Sequence, residues 1–201
     1  MKRYISDLHF GGEELLTKFD NRKFSSVVEM NKHMIKQWND TVKKGDMVIV
    51  LGDMFSTKDV KLINKILGQL SGKICLIEGN YDREWLKLEG VNLNRFEWIK
   101  PYADIVDKEY YVACSHYPMP IYNHQHLKKN GEYVGYMVYG HVHNSEESKI
   151  VNNICKYIRS QQTIDKNGFI NFVPCNMINC FCMNSGYKPL TIKEWIKKFD
   201  L

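Results

Sequence analysis

No stretch of this chain stays apolar over the roughly 20 residues that a membrane-spanning helix requires. The segment after Met1-Lys2-Arg3 is broken at once by Asp7 and His9, which leaves no apolar core for a signal peptide. The expectation is a cytoplasmic protein with no membrane partner. Lysines are spread along the chain rather than gathered in one tract, and no strip interleaves aromatic and basic residues. Extended nucleic-acid binding therefore has no dedicated surface, although a nucleic acid is not excluded as a substrate. There is no internal repeat and no linker. The six cysteines lack the spacing of a structural zinc site: Cys180-Phe181-Cys182 puts one residue between the thiols, where two or more are usual. They are expected to remain thiols, with Cys75 and Cys114 in apolar runs that read as core.

What is present is ordinary for a globular chain. Of 201 residues, 44% are hydrophobic and 25% charged, enough for one domain over 1–201 with a substantial core. The net charge is +5 and the pI about 8.8. A solvated, lysine-rich surface accounts for this. The functional alternative is a positive field that draws in anionic substrates such as phosphate esters.

Residues 3–6 read as a first strand. Ser26 with Glu29 makes a capping-box pattern. Val27, Met30, Met34, Trp38 and Val42 recur at steps of three and four, which predicts a helix over 26–44 with one buried stripe. Residues 47–51 follow as a buried strand. Thr57 is the expected N-cap of a second helix that turns Val60, Ile63, Ile66, Leu67 and Leu70 inward and stops at Gly72. Residues 73–77 are the next strand. This β-α-β-α-β order predicts parallel strands joined by right-handed crossovers. Further on, 103–106 and 110–115 flank a hairpin turn at Asp107-Lys108-Glu109. Residues 133–139 read as a strand, 144–149 as a loop, 150–158 as a short helix or strand, and 169–173 and 179–183 as late strands. Thr191 with Glu194 repeats the capping box and opens a last helix through Trp195, Ile196 and Phe199.

Five short islands carry chemistry: Asp7-Leu8-His9, Gly52-Asp53, Gly79-Asn80-Tyr81-Asp82, His116, and Gly140-His141-Val142-His143. Each lies beside a glycine or at the end of an apolar run. In each x-spaced pair, side chains two apart on extended backbone share a face and can reach one ion. Asp53 lies just past a buried strand, where α/β proteins gather ligands, and its two oxygens can bridge two cations. Asn80 offers a neutral amide oxygen. Taken singly, each island is a turn residue, a cap or surface chemistry. Together they are seven oxygen and nitrogen donors without a thiolate. That mixture suits manganese, iron, zinc or nickel more than calcium.

In this order the islands resemble the calcineurin-like metallophosphoesterase superfamily, from residue 7 to 143. Phe19-Asp20-Asn21-Arg22 and the segment Asn184-Ser185-Gly186-Tyr187-Lys188-Pro189-Leu190-Thr191 resemble its small bacterial and phage members. The resemblance implies an α/β fold, a four-layer αββα sandwich of two mixed β-sheets flanked by helices. It implies that Asp7, His9 and His143 hold one divalent metal ion and Asn80, His116 and His141 a second. Asp53 would bridge them and a hydroxide between the ions would be the nucleophile, which makes Asp53, Asn80 and His116 catalytic. Manganese is the first choice, with iron, zinc, nickel or magnesium as alternatives. The implied function is hydrolysis of phosphoric esters. The same site could serve a phosphomonoesterase or nucleotide pyrophosphatase, and a non-catalytic scaffold could keep the fold.

Two departures matter. Many members carry histidine after the asparagine, where it contacts substrate or protonates the leaving group; this chain has Tyr81. A neutral phenol is a poor acid at pH 7, which shifts the expectation toward diesters or pyrophosphates. The subgroup often has histidine where Gly12 stands. The arginine found near Met54-Phe55 in serine/threonine protein phosphatases is also absent. Arg22, Tyr81 and Arg83 are candidate substrate contacts, since guanidinium forks match phosphate oxygens. Asp82 reads as an orienting hydrogen-bond acceptor, and His124 with His126 as part of a solvated loop.

Overall fold

The computed structural model describes residues 1–164 and 167–201. Its elements run β1 (Lys2–Ile5), α1 (Val27–Thr41), β2 (Met47–Leu51), α2 (Val60–Gln69), β3 (Lys73–Ile77), α3 (Asp82–Trp85) and β4 (Phe96–Lys100). They continue with β5 (Tyr102–Asp107), β6 (Tyr110–Ser115), β7 (Lys128–Lys129), β8 (Glu132–Tyr133), β9 (Gly135–Tyr139) and α4 (Glu146–Ser160). The chain closes with β10 (Gln162–Ile164), β11 (Ile170–Phe172), β12 (Met177–Asn179) and α5 (Ile192–Phe199).

Strand alternation builds the layers. The first sheet, β1-β2-β3-β4, is parallel throughout. Along β2, Val48 and Val50 point to one face and Ile49 and Leu51 to the other; along β3, Ile74 and Leu76 oppose Cys75 and Ile77. One face packs against Met30, Met34 and Trp38 of α1 and Ile63, Ile66 and Leu67 of α2. The other meets Val112, Cys114, Tyr136, Val138 and Ile178 of a second, mixed sheet ordered β12-β9-β6-β5. The far face of that sheet, with Ala113, Met137, Tyr139 and Met177, is covered by Cys155, Val151 and Ile158 of α4. The inner strands β2, β3 and β9 are covered on both faces and read as unbroken apolar runs. The result is the expected four-layer αββα arrangement, except that one sheet is parallel throughout and only the other is mixed, where two mixed sheets were expected.

Several local expectations shift. Ser26 accepts from the Glu29 amide, but the Glu29 carboxylate reaches the amide and hydroxyl of Ser25, so the box is displaced by one residue. Asp59 rather than Thr57 caps α2, accepting from the amides of Lys61 and Leu62, while Thr57 accepts from the Asp59 amide. Residues 146–149 belong to α4 rather than to a loop, with Ser145 as cap. The late strand lies at Met177–Asn179, and Cys182–Ser185 forms a 3-10 turn instead of a strand. The Thr191–Glu194 box is complete. Among the described residues no helix is long and apolar enough to cross a membrane.

Candidate metal centre

All seven candidate ligands sit just past the C-terminal ends of strands. Asp7 and His9 follow β1, Asp53 follows β2 and Asn80 follows β3. From the second sheet, His116 follows β6, and His141 and His143 follow β9. Two stacked sheets therefore deliver their strand ends to one place. Five of the seven adopt left-handed backbone: Asp7 (φ 54°), His9 (49°), Asp53 (53°), His141 (70°) and His143 (45°). Such conformations cost of order 1 kcal/mol each for residues other than glycine, and they cluster at functional sites. Hydrogen bonds hold them: Asp7 N donates to Gly52 O (3.0 Å), His9 N to Asp53 O (2.9 Å) and His141 N to Asp7 Oδ1 (3.0 Å).

The glycines next to the ligands have a steric reason. A Cβ on Gly52 would lie 2.2 Å from His116 Nδ1, one on Gly79 would lie 2.2 Å from Asp53 Oδ1, and one on Gly140 would lie 2.6 Å from Asp7 Oδ2. Each of these glycines makes room for a ligand from elsewhere in the cluster.

The ligand atoms form two groups. Asp7, His9 and His143 offer atoms within 4.8 Å of one another, and so do Asp53, His116 and His141. Asn80 joins the second group, its Oδ1 lying 3.0 Å from His116 Nε2 and 3.1 Å from His141 Nδ1. Asp53 Oδ2 stands between the groups, 3.7 Å from His9 Nε2 and 3.5 Å from His116 Nε2. Other ring nitrogens are anchored outward. His116 Nδ1 donates to Leu51 O (2.9 Å), His143 Nδ1 lies 2.6 Å from Asp20 Oδ1, and His9 Nδ1 lies 2.7 Å from Ser56 Oγ. The Nε2 atoms of His9 and His143 consequently face each other at 3.2 Å. With Nδ1 donating in each ring, two lone pairs point at a common place, an arrangement that a cation between them satisfies. The donor set fits divalent cations.

The electrostatics agree with this fit. Burial pulls His9 down to about 4, with the charges of Asp53 and Asp7 opposing it. Burial also works against the cationic form of His116 and His143, yet hydrogen bonds and charge from Asp53 at His116, and from Asp20 and Asp7 at His143, prevail and hold both at about 9. Burial favours the neutral form of Asp7, but the hydrogen bond and charge of His143, with His116 and His9, depress it well below the usual carboxylate range. Carboxylate charge thus holds protons on His116 and His143, while burial lowers His9 and His141.

Around the ligands, sequence expectations divide. Asp82 is wholly buried and orients, as read: its carboxylate accepts from the amides of Asp53, Met54 and Gly79 and from Trp85 Nε1. Burial, then the nearby Asp53 charge, lifts it to about 6. Tyr81 lines the cleft, 39% exposed, its ring edge-on to His9 at 4.9 Å. Burial, Glu14 and Asp53 raise its phenol further.

Arg22 is a correction. It is 1% exposed, and its guanidinium donates to Asp20, to the carbonyls of Asp7 and Leu8 and to Met34 sulfur, which leaves no fork for a substrate. Arg83 is exposed and pairs with Glu78. His124 packs on Tyr111, near the start of β6 and away from the cleft. Gly12 has no room for a longer side chain, since a Cβ there would meet Leu15 at 2.6 Å and Ser56 at 2.9 Å.

Sequence reasoning missed the holders of the rings. Asp20 is one, and its only signal was the Phe19-to-Arg22 likeness. Ser56, next to Phe55, is another. Asn179 donates to His143 O (2.7 Å), and Phe181 stacks on the His143 ring at 4.5 Å.

Stacked sheets that meet in a cleft lined by two groups of candidate metal donors define a four-layer α/β protein with two candidate metal sites. The chain belongs to the calcineurin-like phosphoesterase superfamily: the model of that superfamily's domain matches residues 3–159. Together with the two ligand groups, membership supports metal-dependent phosphoester hydrolysis in general. An uncharacterized protein of Methanocaldococcus jannaschii, MJ1445, is 38% identical over 96 residues, 47% of this chain and 54% of that protein. The chain thus spans about half the length of that relative. The solved structure of AQ665 from Aquifex aeolicus, a protein of unknown function, matches with a TM-score of 0.65 at 22% identity, over 99% of this chain and 98% of the other. That likeness bears on the fold.

Proposed function

We propose that this protein hydrolyses phosphodiesters with two divalent cations, manganese foremost, held by Asp7, His9 and His143 on one side and by Asn80, His116 and His141 on the other, with Asp53 shared. The observation that carries the reading is the pair of ligand groups, each within 4.8 Å, with Asp53 oxygen between them. Bound divalent ions supply an acidified water and positive charge for the phosphoryl oxygens.

The chain's own residues do the rest. Asp20, Ser56 and Leu51 O hold three imidazoles so that each Nε2 faces the other candidate ligands. Asp82 fixes the backbone at Asp53 and Gly79. Tyr81 keeps its proton at neutral pH and offers an O–H as a hydrogen-bond donor rather than as an acid. In the reaction, water oxygen forms the new P–O bond, one ester P–O bond breaks, and a water proton ends on the departing alcohol. Without an imidazole acid at position 81, substrates whose leaving group departs without a proton are favoured, aryl esters and pyrophosphates over alkyl esters.

Residues beyond the matched region supply β12, Asn179 and Phe181, so the whole chain reads as one catalytic unit. The six thiols are unpaired and buried, which suits the reducing cytoplasm. With manganese, the protein should hydrolyse bis(4-nitrophenyl) phosphate, and Asp53→Asn should abolish that activity. Full activity in this variant removes the bridging role. Faster turnover of monoesters than of diesters by the unaltered protein favours the phosphomonoesterase alternative. No turnover across mono-, di- and pyrophosphate esters with several metals favours the scaffold.

A further inference from the structure

The cleft above the ligands is one of two hollows that share a wall. Asn80 and Tyr81 line both. The first, of 410 Å³, has an apolar side made by Leu15, Phe181 and Met183, with Phe19 beside them. Phe19 is 63% exposed, next to Lys18 in the same lining. A large aromatic left mostly in water at the mouth of a binding cleft gains area when a flat ring covers it. The second hollow, of 540 Å³, is lined by Ser56, Thr57 and Lys58 with Trp85 and with Glu84, which pairs with Lys58. Tyr81 therefore borders both hollows, beside the ligand Asn80 that they share. A monoester fills one hollow only, whereas a diester has a substituent for each.

We propose that the two hollows receive the two ester substituents of a phosphodiester, and that Phe19 selects a planar aromatic group, a nucleobase or aryl ring, for the first. This rests on the phosphodiesterase reading and adds the substrate class to it. Ring stacking of this kind changes affinity by about threefold to tenfold.

The test measures calorimetric binding of diphenyl, dimethyl and phenyl phosphate to the manganese-loaded protein, to Phe19→Ala and to Thr57→Phe, alongside turnover of bis(4-nitrophenyl) phosphate. The unaltered protein should bind diphenyl phosphate at least fivefold tighter than dimethyl phosphate. Phe19→Ala should cost diphenyl phosphate about fivefold and raise KM for the aryl diester, while dimethyl phosphate, which has no ring, loses less than twofold. Thr57→Phe, which narrows the second hollow, should weaken diphenyl phosphate more than phenyl phosphate. Equal losses for all ligands in both variants, no preference for diphenyl phosphate, or no binding of any of the three overturns the proposal. Aryl preference without turnover of any ester removes the hydrolase reading and keeps the subsite; turnover without aryl preference does the reverse.

Discussion

Replacing Asp20 by asparagine isolates the role of the ring holders from that of the ligands. Asp20 gives one oxygen to His143 Nδ1 at 2.6 Å and the other to Arg22, which donates from Nε at 2.9 Å and Nη2 at 2.8 Å. An asparagine of the same shape has a single oxygen. Arg22 is buried and has only donors to offer, so that oxygen stays with it, and the amide nitrogen turns to His143. His143 Nδ1 must then accept, which places the ring proton on Nε2, the atom needed for the cation. Loss of such an outer partner costs about tenfold to a hundredfold in metal affinity, or about 1.4–2.8 kcal/mol. Manganese titration of the metal-free variant at constant pH should show one of two binding steps weakened by that factor and the other changed by less than about threefold. Two unchanged steps would refute the orienting role and reduce Asp20 to an anchor for Arg22.

Three other outcomes follow from the geometry. In the metal-free protein His116 and His143 stand at about 9, above the unfolded value near ~6.5. Their stabilisation is full below about 6.5 and is lost as pH rises through 9, so metal-free Tm should fall over this window. Cations need the neutral rings, so manganese binding should tighten over the same window; a metal-free Tm that rises there contradicts the assignment. Gly52→Ala, at φ 87° with its new Cβ 2.2 Å from His116 Nδ1, should lose about 1–3 kcal/mol in denaturant unfolding and weaken the second metal step; an unchanged midpoint is the contrary result. Tyr81→His should raise the ratio of alkyl-ester to aryl-ester turnover by bringing an acid to the cleft wall, and a ratio that stays put would detach position 81 from leaving-group chemistry.

How much of this was legible in the chain follows from range. Apolar runs and helical periodicity are local, and they placed β2, β3, α1, α2 and the parallel order. The seven candidate ligands stood out because each lies beside a glycine or at the end of an apolar run. Their holders did not. Asp20 meets His143 across 123 residues, and the Leu51 partner of His116 is a backbone carbonyl that any residue possesses. Helix α4 was ambiguous because Ile150, Ile154 and Tyr157 face solvent beside the inward Val151, Cys155 and Ile158, which blurs the stripe. The 179–183 segment is apolar like a strand. Yet Phe181 pairs with Ser6 as a single bridge, and the chain then turns to lay its ring on His143. The edge strand β4, with two of its five residues exposed and only Phe96 buried, carried too little apolar pattern to register. Arg22 looked like a phosphate fork, and only its buried donors show that the fork is already filled.

The most direct measurement is anomalous diffraction at the manganese edge from crystals of the manganese-loaded protein. Two peaks about 3.5–4 Å apart are expected, one against Asp7, His9 and His143, the other against Asn80, His116 and His141, with Asp53 touching both. A single peak, or two that do not share Asp53, would contradict the two-ion centre.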